Sequence, residues 1–76
     1  MWIRVVGLSE SLRKLRAKTG WPDYELAHQM SVSTSTMYRW QRQKKGVLKV
    51  QSAVLAAFTV LYEKEMGGLP FIRRMV

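Results

Sequence analysis

The chain has 76 residues, enough for one compact domain with a small core. It contains no cysteine, which excludes disulfides and a thiolate zinc site, and a single His with five acidic residues leaves little material for any metal centre. Thirteen Lys and Arg give a net charge of +8, which points to an anionic partner, with nucleic acid ahead of a membrane surface or an acidic protein.

Residues 1–7 form an apolar arm ending at Gly7. Ile3, Val5 and Val6 suit a short strand, and they equally suit an arm packed over the core. Residues 9–19 read as a first helix, with Ser9 as N-cap, Glu10 in the first turn and Gly20 as the stop. Leu8, Leu12 and Leu15 make its apolar stripe, and Arg13, Lys14, Arg16 and Lys18 crowd the remaining surface. Residues 22–30 read as a short second helix opened by Pro22, with Leu26, Ala27 and Met30 on its buried side. Residues 33–43 read as a third helix capped by Ser33, with Met37 and Trp40 inward and Thr34, Ser35, Tyr38, Arg39 and Arg42 on the opposite face. Lys44, Lys45 and Gly46 close it.

Residues 49–65 read as the longest helix, with a stripe of Val50, Val54, Ala57, Phe58 and Leu61. Ala53, Ala56 and Val60 extend the apolar surface to a second side, which calls for cover by the arm at Trp2 and Ile3 or by a second subunit. Gly67, Gly68 and Pro70 end this helix, and Phe71, Ile72 and Met75 give the tail, 66–76, an apolar character suited to a dimer contact. The expected fold is therefore all-α: a four- to five-helix bundle over residues 8–65, a single domain with a short N-terminal arm and a C-terminal tail. The longest apolar stretch, Ala53 to Tyr62, is about half of a bilayer span, and no signal peptide is evident, so a cytoplasmic protein without membrane contact is expected.

The functional reading rests on spacing. In a helix-turn-helix the second helix of a close pair enters the major groove. Ala27 supplies the small residue where the two helices touch. Met30, Ser31, Val32 and Ser33 supply a turn of small residues around apolar anchors. Met37 and Trp40 hold the second helix inward and leave a polar outer face.

Leu12-Arg13-Lys14-Leu15-Arg16, Gly20, Leu26-Ala27, Val32-Ser33 and Arg39-Trp40 together resemble the Cro/C1-type (XRE-like) helix-turn-helix family of phage and bacterial repressors. The resemblance covers about residues 8–62 and is closest over Ser33 to Gln41. It implies that the third helix reads the major groove and that a homodimer binds a palindromic operator. Three departures stand out. Pro22 and Asp23 replace the Ser or Thr and Gln that hold a phosphate at the start of the family's second helix. Ser31 stands in place of the usual turn Gly, and the Pro that often follows the third helix is absent near Val47.

On this reading Thr34, Ser35, Tyr38 and Arg39 reach base edges, with Arg39 the candidate for a bidentate contact to guanine. Ser33, Arg42, Lys44, Lys45, Arg16 and Lys18 hold phosphates, with Arg13 as a possible addition. No catalysis, cofactor or small-molecule ligand is expected. Other roles fit the same pattern: the DNA-binding part of a recombination or transposition system, an antitoxin, or a phage inhibitor that binds a host protein. Asp23 favours the last, because a carboxylate repels phosphate.

Overall fold

The computed structural model describes residues 1–43 and 46–75. Seven elements follow in order: β1 (Trp2–Val6), α1 (Leu8–Thr19), α2 (Asp23–Met30), α3 (Thr34–Arg42), β2 (Val47–Gln51), α4 (Ser52–Met66) and β3 (Arg73–Met75). The three strands form one antiparallel sheet in the order β2-β1-β3. The fold is thus mixed α/β, and the expectation of an all-α bundle is overturned.

The arm resolves the ambiguity of its β-branched residues by pairing with residues far along the chain. Trp2 lies opposite Gln51, Arg4 opposite Lys49 and Val6 opposite Val47. The tail adds the third strand, with Met75 opposite Arg4 and Arg73 opposite Val6. Alternation then decides the faces. Val5, Leu48 and Val50 are buried against the helices, whereas Trp2, Arg4, Val47, Lys49 and Met75 face outward.

The expected fourth helix began at residue 49 because Val50 and Val54 stand four apart, as they would on one helical face. Val50 belongs instead to β2 and reaches the core from the sheet, and α4 begins at Ser52. The buried line of α4 is Leu55, Phe58 and Tyr62, with Val54 and Leu61 half-buried and Ala57 exposed. Phe58 is fully buried, and its ring meets that of Tyr62 at 5.6 Å between centroids with a 54° tilt. Ala53, Ala56, Ala57 and Val60 are left on the surface, uncovered by the arm.

Helix α1 begins one residue before its expected N-cap. Gly7 takes the capping position and the Ser9 hydroxyl is directed elsewhere, as described below. Leu8, Leu12 and Leu15 are all buried. In α2, Leu26, Ala27 and Met30 are buried, and in α3 Met37 is fully buried while Trp40 and Val32 pack half-buried against the core. Among the described residues no helix is long and apolar enough to cross a membrane.

Candidate nucleic-acid interface

Helices α2 and α3 are joined by Ser31, Val32 and Ser33 and pack against each other. Ser31 ends α2 at φ 57°, a left-handed conformation in a non-glycine residue, so the turn geometry is kept without glycine at a cost of about 1–2 kcal/mol. Two backbone bonds hold the turn: Ser31 N–H to the His28 carbonyl at 3.2 Å and Val32 N–H to the Ala27 carbonyl at 3.0 Å.

Ser33 starts α3. Its Oγ accepts the Thr36 N–H at 3.1 Å, and its hydroxyl donates to Thr36 Oγ1 at 2.8 Å. Thr36 Oγ1 also accepts from Arg39 Nη2 at 3.3 Å. The chain Ser33–Thr36–Arg39 therefore ties the first turn of α3 to the proposed guanine reader. Thr36 was missing from the expected site, although its position three residues after a Ser N-cap was a usable signal.

Thr34, Ser35, Tyr38, Arg39 and Arg42 are all exposed on one side of α3. Tyr38 and Arg42, one turn apart, stack: the guanidinium carbon lies 4.5 Å from the ring centroid. Tyr38 is 46% exposed, so the stack orders Arg42 while leaving both groups open to a ligand.

The other end of α3 is gripped by α1. The Ser9 hydroxyl donates to the Trp40 carbonyl at 2.6 Å, and Arg13 Nη1 donates to the Gln41 carbonyl at 2.8 Å. The Trp40 carbonyl thereby accepts a second bond beside that from the Gln43 N–H at 3.4 Å, and Arg13 meets the negative end of the α3 dipole.

Gln41, buried on the same stripe as Met37, centres a polar network between the helices. Its Nε2 donates to Asp23 Oδ1 at 2.7 Å and its Oε1 accepts from Arg16 Nη1 at 3.3 Å. Arg16 Nη1 lies 3.3 Å from Asp23 Oδ1, and Arg16 Nε donates to the Trp21 carbonyl at 3.2 Å. Asp23 thus faces inward to Arg16 and Gln41, linking the start of α2 to α1 and α3. Gln41 was also missing from the expected site, yet it stands four residues after Met37 and so falls on the inner face.

The expected phosphate contacts divide. Arg42 and Lys18 are exposed, and Arg13 is exposed with one nitrogen committed to Gln41. The Arg16 guanidinium serves the network, and the Ser33 hydroxyl serves the cap. Lys44 and Lys45 lie outside the described residues. Tyr24, beside Asp23 at the start of α2, is exposed.

No protein family, characterised protein or solved structure matches the chain.

What the site can do follows from its own residues. A short helix with a polar, cationic and aromatic outer face is capped at its start by Ser33 and held at its end by side chains of α1 and α2. If Asp23 is a structural partner, Asp23→Ala should cost about 1–2 kcal/mol, the value of a charge-assisted bond reduced by partial exposure. Urea midpoints measure it. A double-mutant cycle with Gln41→Ala should give a coupling energy of at least about 0.5 kcal/mol. Strict additivity would show that the two side chains act independently.

Proposed function

We propose that the protein binds double-stranded DNA sequence-specifically and acts as a transcriptional regulator of the Cro/C1 type, a repressor that occupies a palindromic operator as a homodimer. The observation that carries this reading is the exposed face of α3, with Thr34, Ser35, Tyr38, Arg39 and Arg42 on one side of a helix anchored at both ends. A helix presented in this way enters a major groove, where an Arg meets O6 and N7 of guanine through two parallel bonds. Thr34 and Ser35, at the start of the helix, reach base edges or a thymine methyl. Arg42, Lys18 and Arg13, with Lys44 and Lys45, contact phosphates and position the chain without reading sequence.

A carboxylate facing the ligand at Asp23 would repel phosphate and favour a protein partner. The inward bonds of Asp23 to Arg16 and Gln41 remove that objection to DNA.

Dimerisation follows from the small number of bases that one helix reads. A second half-site about 34–36 Å away adds specificity by symmetry. Ala53, Ala56, Ala57 and Val60 on α4, with Leu69 and Phe71 after it, are the exposed apolar side chains available for that contact. The regulator would act in a bacterial cytoplasm, without cofactor or small-molecule ligand.

Selection of bound duplexes from a random pool tests the reading, and a palindromic consensus is the expected result. On that consensus, Arg39→Ala should remove about 1–3 kcal/mol of discrimination at one base pair, whereas Arg42→Ala should weaken all sequences alike. A pool that shows no enrichment, or an Arg39→Ala protein with unchanged preference at every position, would refute it.

A further inference from the structure

The sheet carries a charge arrangement that the α3 interface does not use. All five acidic residues of the chain lie on α1, α2 and α4. The strands hold Arg4, Lys49, Arg73 and Arg74 and no carboxylate. Arg4 and Lys49 stand directly opposite each other in the β1–β2 ladder, both exposed. Like charges in that relation repel and destabilise a sheet. Arg73, two register positions further on β3, projects on the same side, as pairing with Val6 requires.

Trp2 completes the face. It lies two residues before Arg4, so it projects on the same side, and it is 56% exposed. The aromatic contact found among the described residues, between Phe58 and Tyr62, does not involve it. Trp2, Arg4, Lys49 and Met75 of this face line one concavity together with Ile3 and Arg74, which alternate to the other side of their strands. A flat indole beside a group of cations suits a polyanion whose aromatic rings are accessible. Bases in a duplex are already stacked on one another, whereas those of a single strand are free to stack on a side chain while the phosphates run along the cations.

We infer that the outer face of the sheet is a second nucleic-acid site, specific for single strands, in which Trp2 stacks on a base and Arg4, Lys49 and Arg73 hold the backbone. The site shares no residue with the α3 face, so each stands or falls on its own probe.

The test uses the full chain and a fluorescein-labelled twelve-residue oligothymidylate, read by anisotropy, beside a labelled duplex. Trp2→Ala should weaken oligothymidylate binding by about five- to a hundredfold, with Trp2→Phe restoring most of it. Lys49→Glu should also weaken it, and should at the same time raise the melting temperature, because a carboxylate opposite Arg4 replaces repulsion with attraction. Duplex affinity should stay within about twofold for Trp2→Ala and fall for Arg39→Ala. Melting curves on every variant separate lost binding from lost folding. Unchanged oligothymidylate binding in folded Trp2→Ala and Lys49→Glu proteins would overturn the inference, as would equal losses on single strand and duplex. Loss of binding to phosphatidylserine vesicles in these variants, with oligothymidylate binding intact, would assign the face to anionic lipid and would also overturn it.

Discussion

Affinity for duplex DNA is expected to fall by about a thousand- to a hundred-thousandfold between about 50 and 200 mM salt, the behaviour of a protein that neutralises about 6–10 phosphates. That range corresponds to about three to five phosphates for each chain of a dimer. Arg42, Lys18 and Arg13 are exposed on the helices that border α3 or form it, and Lys44 and Lys45 follow Gln43, the residue after α3, in sequence. Replacing Arg42 by Ala should reduce the slope of log affinity against log salt by about one for each chain. Arg16→Ala should behave differently. Its guanidinium is bonded to Trp21, Asp23 and Gln41, so the expected loss falls on folding stability and leaves the slope nearly unchanged. A slope shallower than about 2 would mean that too few phosphates are neutralised for α3 to lie in a groove.

How far the sequence predicts this molecule depends on how local each determinant is. The three short helices were legible because their signals lie within a few residues. Ser33 is bonded to Thr36 as an N-cap should be, Pro22 immediately precedes α2, and Gly20 closes α1. Apolar spacing gave Leu8, Leu12, Leu15, Leu26, Ala27, Met30 and Met37 their buried positions. The sheet was not legible. Its central strand pairs Trp2 with Gln51 and Val6 with Val47, and no local feature of either segment specifies the other. Val47 to Val50 does alternate between surface and core, but four residues beside a strongly apolar helix are read as easily into that helix.

The same distinction applies to the site. The exposed face of α3 was legible from its 3.6-residue period. The role of Asp23 was not, because it is defined by Arg16 on one helix and Gln41 on another. Read by position alone, Asp23 is a negative charge at the start of α2 with no visible partner. In the fold it forms part of the support that holds α3.

Gly7→Ala is expected to destabilise the protein by about 3 kcal/mol or more, lowering the melting temperature by at least about 12 °C for a domain of this size. Two effects combine. Gly7 has φ 95°, which costs a residue with a side chain about 1–2 kcal/mol. A Cβ at this position would also run into the carbonyl oxygen of Phe71. A main-chain carbonyl cannot rotate away as a side chain does, so relief requires the segment leading into β3 to move. That movement takes Arg73–Met75 out of register with Val6, Val5 and Arg4. Gly67→Ala provides the comparison, because Gly67 has φ 76° but open space where its Cβ would lie. It should cost only the backbone part, about 1–2 kcal/mol. The difference between the two variants isolates the close approach of the tail to the β1–α1 junction, and equal losses would show that this approach does not constrain the fold. Because α3 is held by Ser9, Arg13 and the Gln41 network, Gly7→Ala protein kept below its melting temperature should retain the α3 face, so that a loss of duplex affinity reports the displaced Phe71 at the dimer contact. The same protein should lose single-strand binding, because Arg73 and Met75 leave the outer face with β3.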